Sequence, residues 1–305
     1  MREWLNYIQA TRHTNTHLEY TTTANKYIAA VADHPIRSLT TRHLQRFIMA
    51  LKEQRHSLAT IAKHQRTFKI FLRWAHEAHE LETIPKMEMV RVPRTYPDVW
   101  DANMLVALKD RLDGLICATK NRRQRWYYVL HKRFFWMAIN TGMRAGEIVF
   151  LPLSAIDLDR LQIKVAKHAR FNVKERRDKI VPINDYLACY LEGQLAMFPG
   201  LHWYLDDGRK NPAYDDVHAL WTAFNRHYDE LGVPDSQRPK GLHGFRATFA
   251  FYAHNQLGWD PSLIALWLGH STVDMTLRYI PDPDPRKQAS LEDVNRHPPG
   301  LLATN

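Results

Sequence analysis

Apolar residues recur at helical spacing through most of the chain. A repeat of three to four residues places apolar side chains on one face of a helix. Before residue 84 this pattern predicts helices in THLEYTTTANKYIAAVAD (16–33), TTRHLQRFIMALKEQ (40–54) and SLATIAKHQRTFKIFLRWAHEAHEL (57–81). It returns in ANMLVALKDRLDGL (102–115) and RQRWYYVLHKRFFWMAIN (123–140). The chain is therefore expected to be mainly α-helical.

Two segments depart from the helical pattern. Residues 85–99 contain three prolines and no helical period, which predicts an extended basic linker. LQIKVAKHARFNVKERRDKIVPI (161–183) alternates apolar and charged residues, which predicts a small antiparallel sheet of two or three strands. We therefore expect a helical domain over 1–84, a linker over 85–99, and a mixed, mostly helical domain over 100–305 whose tail begins at about 281.

The charge of the chain indicates a polyanionic partner. Its 42 Lys and Arg exceed its 32 Asp and Glu, which gives a net charge of +10. Residues 1–98 carry 15 basic and nine acidic side chains, so this third holds more than half of the excess. Such a basic balance favours a nucleic-acid-binding module. On the third predicted helix a basic stripe could follow phosphates or be an ordinary solvated face; it comprises Lys63, Arg66, Lys69 and Arg73.

Other composition features exclude several classes of protein. The two cysteines, Cys117 and Cys189, form no CxxC motif, which argues for a reducing compartment and against a structural zinc site. No apolar run reaches the roughly 20 residues of a membrane helix, and the N-terminus lacks the apolar core of a signal peptide. We expect a cytoplasmic, nucleoid-associated protein that needs no membrane and no metal.

Two motifs carry an arginine three residues from another ionisable side chain. In TGMRAGEIVFL (141–151), Thr141 and Gly142 could start a helix with Arg144 in its first turn, on the same face as Glu147. In GLHGFRATFAFYAH (241–254), helical spacing projects His243 and Arg246 to one side. Surface salt bridges and caps use the same spacings, but the apolar residues around both motifs favour burial.

A third motif, LGHSTVDMTLRYI (268–280), predicts a corner between two helices. Gly269 ends the apolar run SLIALWL, where a residue free to adopt a positive φ is favoured. Ser271 and Asp274 then form an N-cap signature, so a second helix would carry Tyr279 two turns in. Such a corner brings His270 and Tyr279 towards one point. A tyrosine in this position is more often simply half-buried.

The ordered set of Arg, a lysine-bearing hairpin, His-x-x-Arg, Gly-His and Tyr resembles the tyrosine recombinase (phage integrase) family, over roughly residues 10–290. The resemblance implies an N-terminal SAM-like core-binding domain that binds DNA. It implies that Arg144 and Arg246 clamp a phosphate and that Glu147 supports the first arginine. It also implies that His243 and His270 assist and that Tyr279 is the nucleophile. For the catalytic lysine it favours Lys174, eight residues before Pro182, over Lys167 and Lys179.

These residue types suit phosphodiester chemistry. The transition state gathers negative charge on the phosphate oxygens, and two planar, permanently charged guanidinium groups can stabilise it. The resemblance implies a 3′-phosphotyrosyl intermediate and a Holliday junction, without cofactors, metal or ATP. It implies a homo-tetramer on two DNA duplexes with inverted core sites, and it allows for accessory or directionality factors as further partners. The alternatives are a type IB topoisomerase and a catalytically silent DNA-binding accessory protein.

Overall fold

The computed structural model describes residues 1–93, 95–171 and 178–280. Their contacts divide the chain into two compact units, residues 1–94 and 95–305. The division falls inside the segment predicted to be a linker. The predicted tail from about 281 lies outside the described residues.

In the described part of the first unit there are four α-helices, α1 (Arg2–Thr11), α2 (Thr14–Val31), α3 (Thr41–Glu53) and α4 (Leu58–Glu77). The Ser57 hydroxyl caps α4 by accepting a hydrogen bond from the Thr60 amide. The apolar face predicted for this helix is buried and comprises Ile61, Phe68, Phe71, Leu72 and Ala75. It packs with α1 to α3 around Trp4, Tyr27 and Phe47.

The segment after α4 is extended, and part of it is fixed to the first unit. The Gln65 side chain, which is fully buried, donates to the Glu88 carbonyl at 2.7 Å and accepts from the Val90 amide at 2.9 Å. One glutamine on α4 therefore satisfies two backbone groups of an otherwise irregular segment, as buried polar groups require.

Among the described residues, the second unit has eight α-helices, which pack around a main core and a smaller apolar cluster. They are α5 (Ala102–Ala118), α6 (Arg122–Thr141), α7 (Ala145–Val149), α8 (Asp185–Met197), α9 (Val217–Glu230), α10 (His243–Asn255), α11 (Pro261–Leu268) and α12 (Val273–Thr276). Phe134 and Phe135 on α6 meet Phe245 on α10 edge to face, with ring centroids 5.9 and 6.1 Å apart. These contacts fix α10, which carries Arg246, against α6, which ends shortly before Arg144.

A small antiparallel sheet accompanies these helices. Its strands are β1 (Ile156–Asp157), β2 (Gln162–Val165) and β3 (Lys179–Pro182), in the order β1-β2-β3. Ile163 pairs with Val181, and both are buried. The fold class, mainly α with a small antiparallel sheet, is confirmed. Strand β1 lies before the segment in which strands were predicted. It was not predicted because two residues are too few to show alternation.

Candidate active site

Arg144 lies at a junction between two helices. The predicted start of a helix at Thr141 is wrong: Thr141 is the last residue of α6, and Gly142 ends that helix in the left-handed conformation, with φ at 60°. Arg144 is the N-cap of α7 and does not lie in its first turn. A Cβ atom at Gly142 would lie 2.6 Å from Leu268 and 2.7 Å from Phe249, so this turn requires glycine.

Glu147 fixes Arg144 in place. Its carboxylate accepts from the Arg144 amide at 2.8 Å and from the Arg144 Nη1 at 3.1 Å. The Glu147 side chain is 1% exposed, as the apolar residues around it predicted. Burial favours a higher pKa for this carboxyl, but Lys179 and Arg144 outweigh burial and hold the pKa below its ordinary value. Glu147 is therefore an ionised, buried support for the first arginine.

Lys179 is the lysine that the structure places at this carboxylate. Its Nζ donates to the Glu147 Oε2 at 2.8 Å and to the Leu268 carbonyl at 3.3 Å. Burial, with smaller contributions from Arg246 and Arg144, lowers the pKa of Lys179 to about 8 against the opposing effect of Glu147. Lys179 thus ties β3 to α7 and to the end of α11. Lys174, the favoured catalytic lysine, lies outside the described residues.

Arg246 joins two of the motifs. It lies in the first turn of α10 and is 1% exposed. Its Nη1 donates to the Gly142 carbonyl at 2.8 Å, and its Nη2 donates to the Leu268 carbonyl at 2.9 Å. Burial, and then Arg144, lower the pKa of this guanidinium. The second arginine is therefore locked between the residue that ends α6 and the last residue of α11.

The corner around His270 forms as predicted, but its second helix is shorter. Gly269 ends α11 with φ at 68°. The N-cap of α12 is Thr272 rather than Ser271, and the helix ends at Thr276. Tyr279 therefore lies in the turn beyond α12, not two turns inside a helix; its amide donates to the Thr276 carbonyl at 2.9 Å.

His270 is held as a neutral side chain. Its Nδ1 lies 2.7 Å from the hydroxyl of Thr276, which is fully buried. Burial first, and then the positive charges of Arg246, Arg144 and Lys179, lower the pKa of His270 to about 3. The imidazole is therefore uncharged near neutral pH, and Thr276 fixes its orientation.

Tyr279 lies between the two histidines. Its hydroxyl is 2.8 Å from the Nε2 of His243, the exposed first residue of α10. Its ring stacks on the His270 ring with centroids 5.6 Å apart and planes 19° apart. The Arg246 guanidinium lies close enough to Tyr279 to interact with it electrostatically. A phenol in contact with an accessible imidazole has a proton acceptor within hydrogen-bond distance.

The structure thus brings together six of the seven residues assigned to catalysis or its support: Arg144, Glu147, His243, Arg246, His270 and Tyr279. We did not predict from the sequence the pairing of Lys179 with Glu147, the orienting Thr276, or the carbonyls of Gly142 and Leu268. One signal for Lys179 exists in the sequence. Alternation along KIVP places Lys179 on the same face as the buried Val181, and Ile180 is 57% exposed.

The basic stripe on α4 lies in the other unit. Its four side chains, Lys63, Arg66, Lys69 and Arg73, are all exposed on the face opposite the core. Lys63 forms a salt bridge with Glu19 at 3.2 Å, and both side chains are well exposed. An exposed pair of this kind contributes little to stability and leaves the charges available to a polyanion. DNA binding by this stripe stays a prediction.

Metal ligands and membrane helices can be assessed for the described residues. Over 1–93, 95–171 and 178–280 there is no group of three or more His, Cys, Asp or Glu side chains arranged to hold a metal ion. Among the same residues, none of the helices has the length and apolar character needed to cross a membrane. The groups gathered around Tyr279 are two guanidinium groups, an ammonium and two imidazoles.

Two family models match the chain. The model of the phage integrase family matches residues 109–284, which contain every residue of the site. The model of the phage integrase N-terminal SAM-like domain matches residues 1–93, which contain α1 to α4.

Individual relatives agree with these matches. The chain is 25% identical over 278 residues to a tyrosine recombinase XerC of Herpetosiphon aurantiacus, which covers 87% of this chain and 84% of the relative. It resembles in fold the Tn1549 transposon integrase in complex with transposon right-end DNA, with a TM-score of 0.74, 16% identity and 96% and 98% of the two chains covered. A lambda integrase dimer bound to a COC′ core site is similar at a TM-score of 0.71, with 15% identity and 92% and 94% covered.

Proposed function

The chain belongs to the phage integrase family, and on that premise we propose that it is a site-specific tyrosine recombinase. It cuts and rejoins DNA through a 3′-phosphotyrosyl intermediate and a Holliday junction. The observation that carries this proposal is the placement of the Tyr279 hydroxyl 2.8 Å from the His243 Nε2, beside Arg246 and stacked on His270.

The first step is attack by Tyr279 on a DNA phosphate. The phenol oxygen forms a bond to phosphorus while the bond from phosphorus to the 5′-oxygen breaks. His243 accepts the phenol proton, and Lys174, which lies outside the described residues, protonates the leaving 5′-oxygen. The charge that accumulates on the phosphate oxygens is stabilised by Arg144, Arg246 and a hydrogen bond from His270.

Rejoining reverses the same step with a new nucleophile. A 5′-hydroxyl of the partner strand attacks the phosphotyrosyl phosphorus, gives up its proton and releases Tyr279, which regains a proton. One phosphodiester is formed for each one broken, and the covalent intermediate conserves the bond energy. The cycle therefore needs no ATP. Cationic side chains supply the charge stabilisation that metal ions supply in many other nucleases.

Tyr279 acts on the phosphate bound by its own subunit. Within one chain the phenol already lies against His243, and its turn is tied to the corner that holds His270, because the Tyr279 amide donates to the Thr276 carbonyl. Delivery to another subunit would require breaking these contacts. Mixing Tyr279→Phe protein with Arg246→Ala protein on one DNA site tests this. Cleavage in the cis mode requires both residues on one chain, so the mixture is inactive, whereas restored cleavage shows delivery in trans.

The proposed assembly is a homo-tetramer on two DNA duplexes with inverted core sites. Solved structures of lambda integrase include a dimer on a core site and a tetramer on a Holliday junction. Residues 1–84 would serve as the core-binding domain, with the basic stripe on DNA phosphates, and 100–305 as the catalytic domain. Association with the nucleoid would follow from this DNA binding. Gel filtration with and without junction DNA measures the assembly.

Covalent trapping tests the function directly. The protein is mixed with EDTA and a library of nicked random duplexes that lose the 5′-end after cleavage, and denatured adducts are recovered and sequenced. Adducts formed by wild type but not by Tyr279→Phe, and enriched in one sequence, are expected. Adducts without sequence preference would indicate a topoisomerase. DNA binding with no adduct would indicate an accessory protein.

A further inference from the structure

A cavity lies in the second unit away from the candidate active site, and none of the proposed catalytic residues lines it. Its volume is about 320 Å³, at the lower end of the roughly 300–1,000 Å³ typical of ligand pockets. Its walls are formed by α6 and α9 together with Tyr214, and they include His131, His227, Tyr127, Tyr128 and Arg226. Aromatic rings and a few polar groups are the usual lining of a small-molecule site.

A hydrogen-bond relay fixes the protonation of the two histidines. The Arg111 Nε is always a donor and lies 3.4 Å from the His227 Nδ1, which must therefore accept. The proton of neutral His227 is then on Nε2, which donates to the His131 Nδ1 at 2.8 Å. It follows that His131 carries its own proton on Nε2. Burial lowers the pKa of His131 to about 3 and that of His227 to about 4, so both rings are neutral.

Two buried donors at this cavity lack a protein acceptor. Among the described residues, neither the His131 Nε2 nor the Tyr214 hydroxyl has a hydrogen-bond partner. His131 is 5% exposed and Tyr214 is 8% exposed, and their rings stack with centroids 6.3 Å apart. Burial raises the pKa of Tyr214, so its hydroxyl keeps its proton. A buried unpaired donor costs about 1–3 kcal/mol, which an acceptor within the cavity would recover.

The mouth of the cavity has a positive excess. Arg111 and Arg226 contribute two positive charges, and Glu230 contributes one negative charge. Arg111 forms an ion pair with Glu230. Arg226 is exposed and forms no ion pair or hydrogen bond with other described residues. One guanidinium thus remains at the rim for an anionic ligand.

We propose that this cavity is a binding site for a small aromatic carboxylate. The ring of the ligand would pack among the tyrosines, and its carboxylate would accept from the His131 Nε2 and the Tyr214 hydroxyl under the positive field of Arg226. A carboxylate has two charged acceptor oxygens, one for each of these two donors. The site is independent of the recombination chemistry.

Benzoate is the probe for this proposal, with benzamide as its uncharged counterpart. Isothermal titration of the full chain at neutral pH is expected to give a benzoate Kd of about 1 mM or tighter and clearly weaker binding of benzamide. Tyr214→Phe removes only a hydroxyl, and the loss of its hydrogen bond to a charged ligand should weaken benzoate binding about tenfold. Arg226→Gln removes the charge at the rim and should weaken benzoate binding but not benzamide binding.

Matched controls come from the same unit. Tyr186→Phe and Arg209→Gln change exposed residues outside the cavity and should leave the benzoate Kd unchanged. The proposal is overturned if wild type shows no saturable benzoate binding, which would mean that water alone fills the cavity. It is also overturned if Tyr214→Phe and Arg226→Gln bind benzoate as wild type does. Neither result would bear on adduct formation by Tyr279.

Discussion

Replacing Lys179 with Met should destabilise the second unit, because it leaves a buried carboxylate with fewer partners. The side chains of Lys179 and Glu147 are 13% and 1% exposed, and their charged atoms are 2.8 Å apart. Met has nearly the same length as the lysine stem but no charge. After the substitution, Glu147 keeps two hydrogen bonds from Arg144, one from its guanidinium at 3.1 Å and one from its amide at 2.8 Å.

The size of the effect follows from the burial of the pair. Removing one partner of a buried ion pair costs about 3–5 kcal/mol of unfolding free energy. Because Arg144 remains, we expect the lower end, about 3 kcal/mol. For a unit of about 150–250 residues, 1 kcal/mol shifts the Tm by about 2–4 °C, so the expected loss is about 6–12 °C.

Thermal unfolding measured by circular dichroism at neutral pH provides the assay. Lys164→Met is the matched control, since Lys164 lies on the neighbouring strand with its side chain 66% exposed; its effect should stay within about 0.5 kcal/mol. The double variant Lys179→Met/Glu147→Gln removes the stranded charge and should recover at least about 1 kcal/mol. A single variant that melts like wild type, or a double variant less stable than the single, would refute the argument.

Three further predictions concern pH, orientation and DNA contact. Stability should fall as the pH is lowered from about 6.5 towards 4, by up to about 1.4 kcal/mol per pH unit for each buried neutral histidine, because the unfolded chain binds protons that the folded chain excludes. These histidines are His131, His227 and His270. Replacing one of them should reduce the difference in Tm between pH 7 and pH 5, whereas replacing the exposed His218 with Gln should leave that difference unchanged. Thr276→Val should slow adduct formation about tenfold without changing the DNA Kd, because His270 loses the hydroxyl that orients it; an unchanged single-turnover rate would contradict this. Arg66→Gln should lower the slope of log K against log salt by about 1, and an unchanged slope would remove Arg66 from the DNA contacts.

The parts of the site that the sequence predicts are those set by local spacing. Arg144 and Glu147 are three residues apart, as are His243 and Arg246, and this spacing brings side chains together wherever the backbone turns at a helical pitch. The prediction held even though Arg144 is an N-cap, because the capping geometry also joins the N-cap to the third helical residue. The three-residue spacing joins the two side chains either within a helix or between an N-cap and the third helical residue. An error in the helix boundary therefore leaves the predicted contact unchanged.

Helix boundaries were less predictable because neighbouring residues compete for the same role. Ser271 and Thr272 are both good N-caps, and the structure uses Thr272. The single-residue difference, together with the end of α12 at Thr276, places Tyr279 in a turn. In a turn, the Tyr279 side chain is not confined to the direction that its position on a helix would impose, so its hydroxyl can reach His243. The tertiary contacts that select this arrangement come from α10, 36 residues earlier in the chain.

Side-chain spacing alone does not explain how Arg144 and His270 come to lie in one site. The glycines of the two motifs do. Gly142 precedes Arg144 by two residues, Gly269 directly precedes His270, and each ends its helix in the left-handed conformation. A helix C-terminus exposes unpaired carbonyls and carries partial negative charge, so two such ends that meet attract a buried cation. Arg246 takes that position, with one nitrogen on the Gly142 carbonyl and one on the Leu268 carbonyl.

The close approach of these two helix ends also requires the glycines. A Cβ at Gly142 would strike Leu268, and a Cβ at Gly269 would lie 2.9 Å from the Cδ of Lys179. Substituting either glycine would therefore displace a cation or the carbonyl that holds it, as well as strain the backbone. The motifs Thr-Gly-x-Arg and Leu-Gly-His thus each supply a backbone carbonyl to the site as well as a side chain. Arg246 donates to both carbonyls, those of Gly142 and Leu268. This is why an arginine that is 1% exposed can be retained within the core beside the proposed nucleophile.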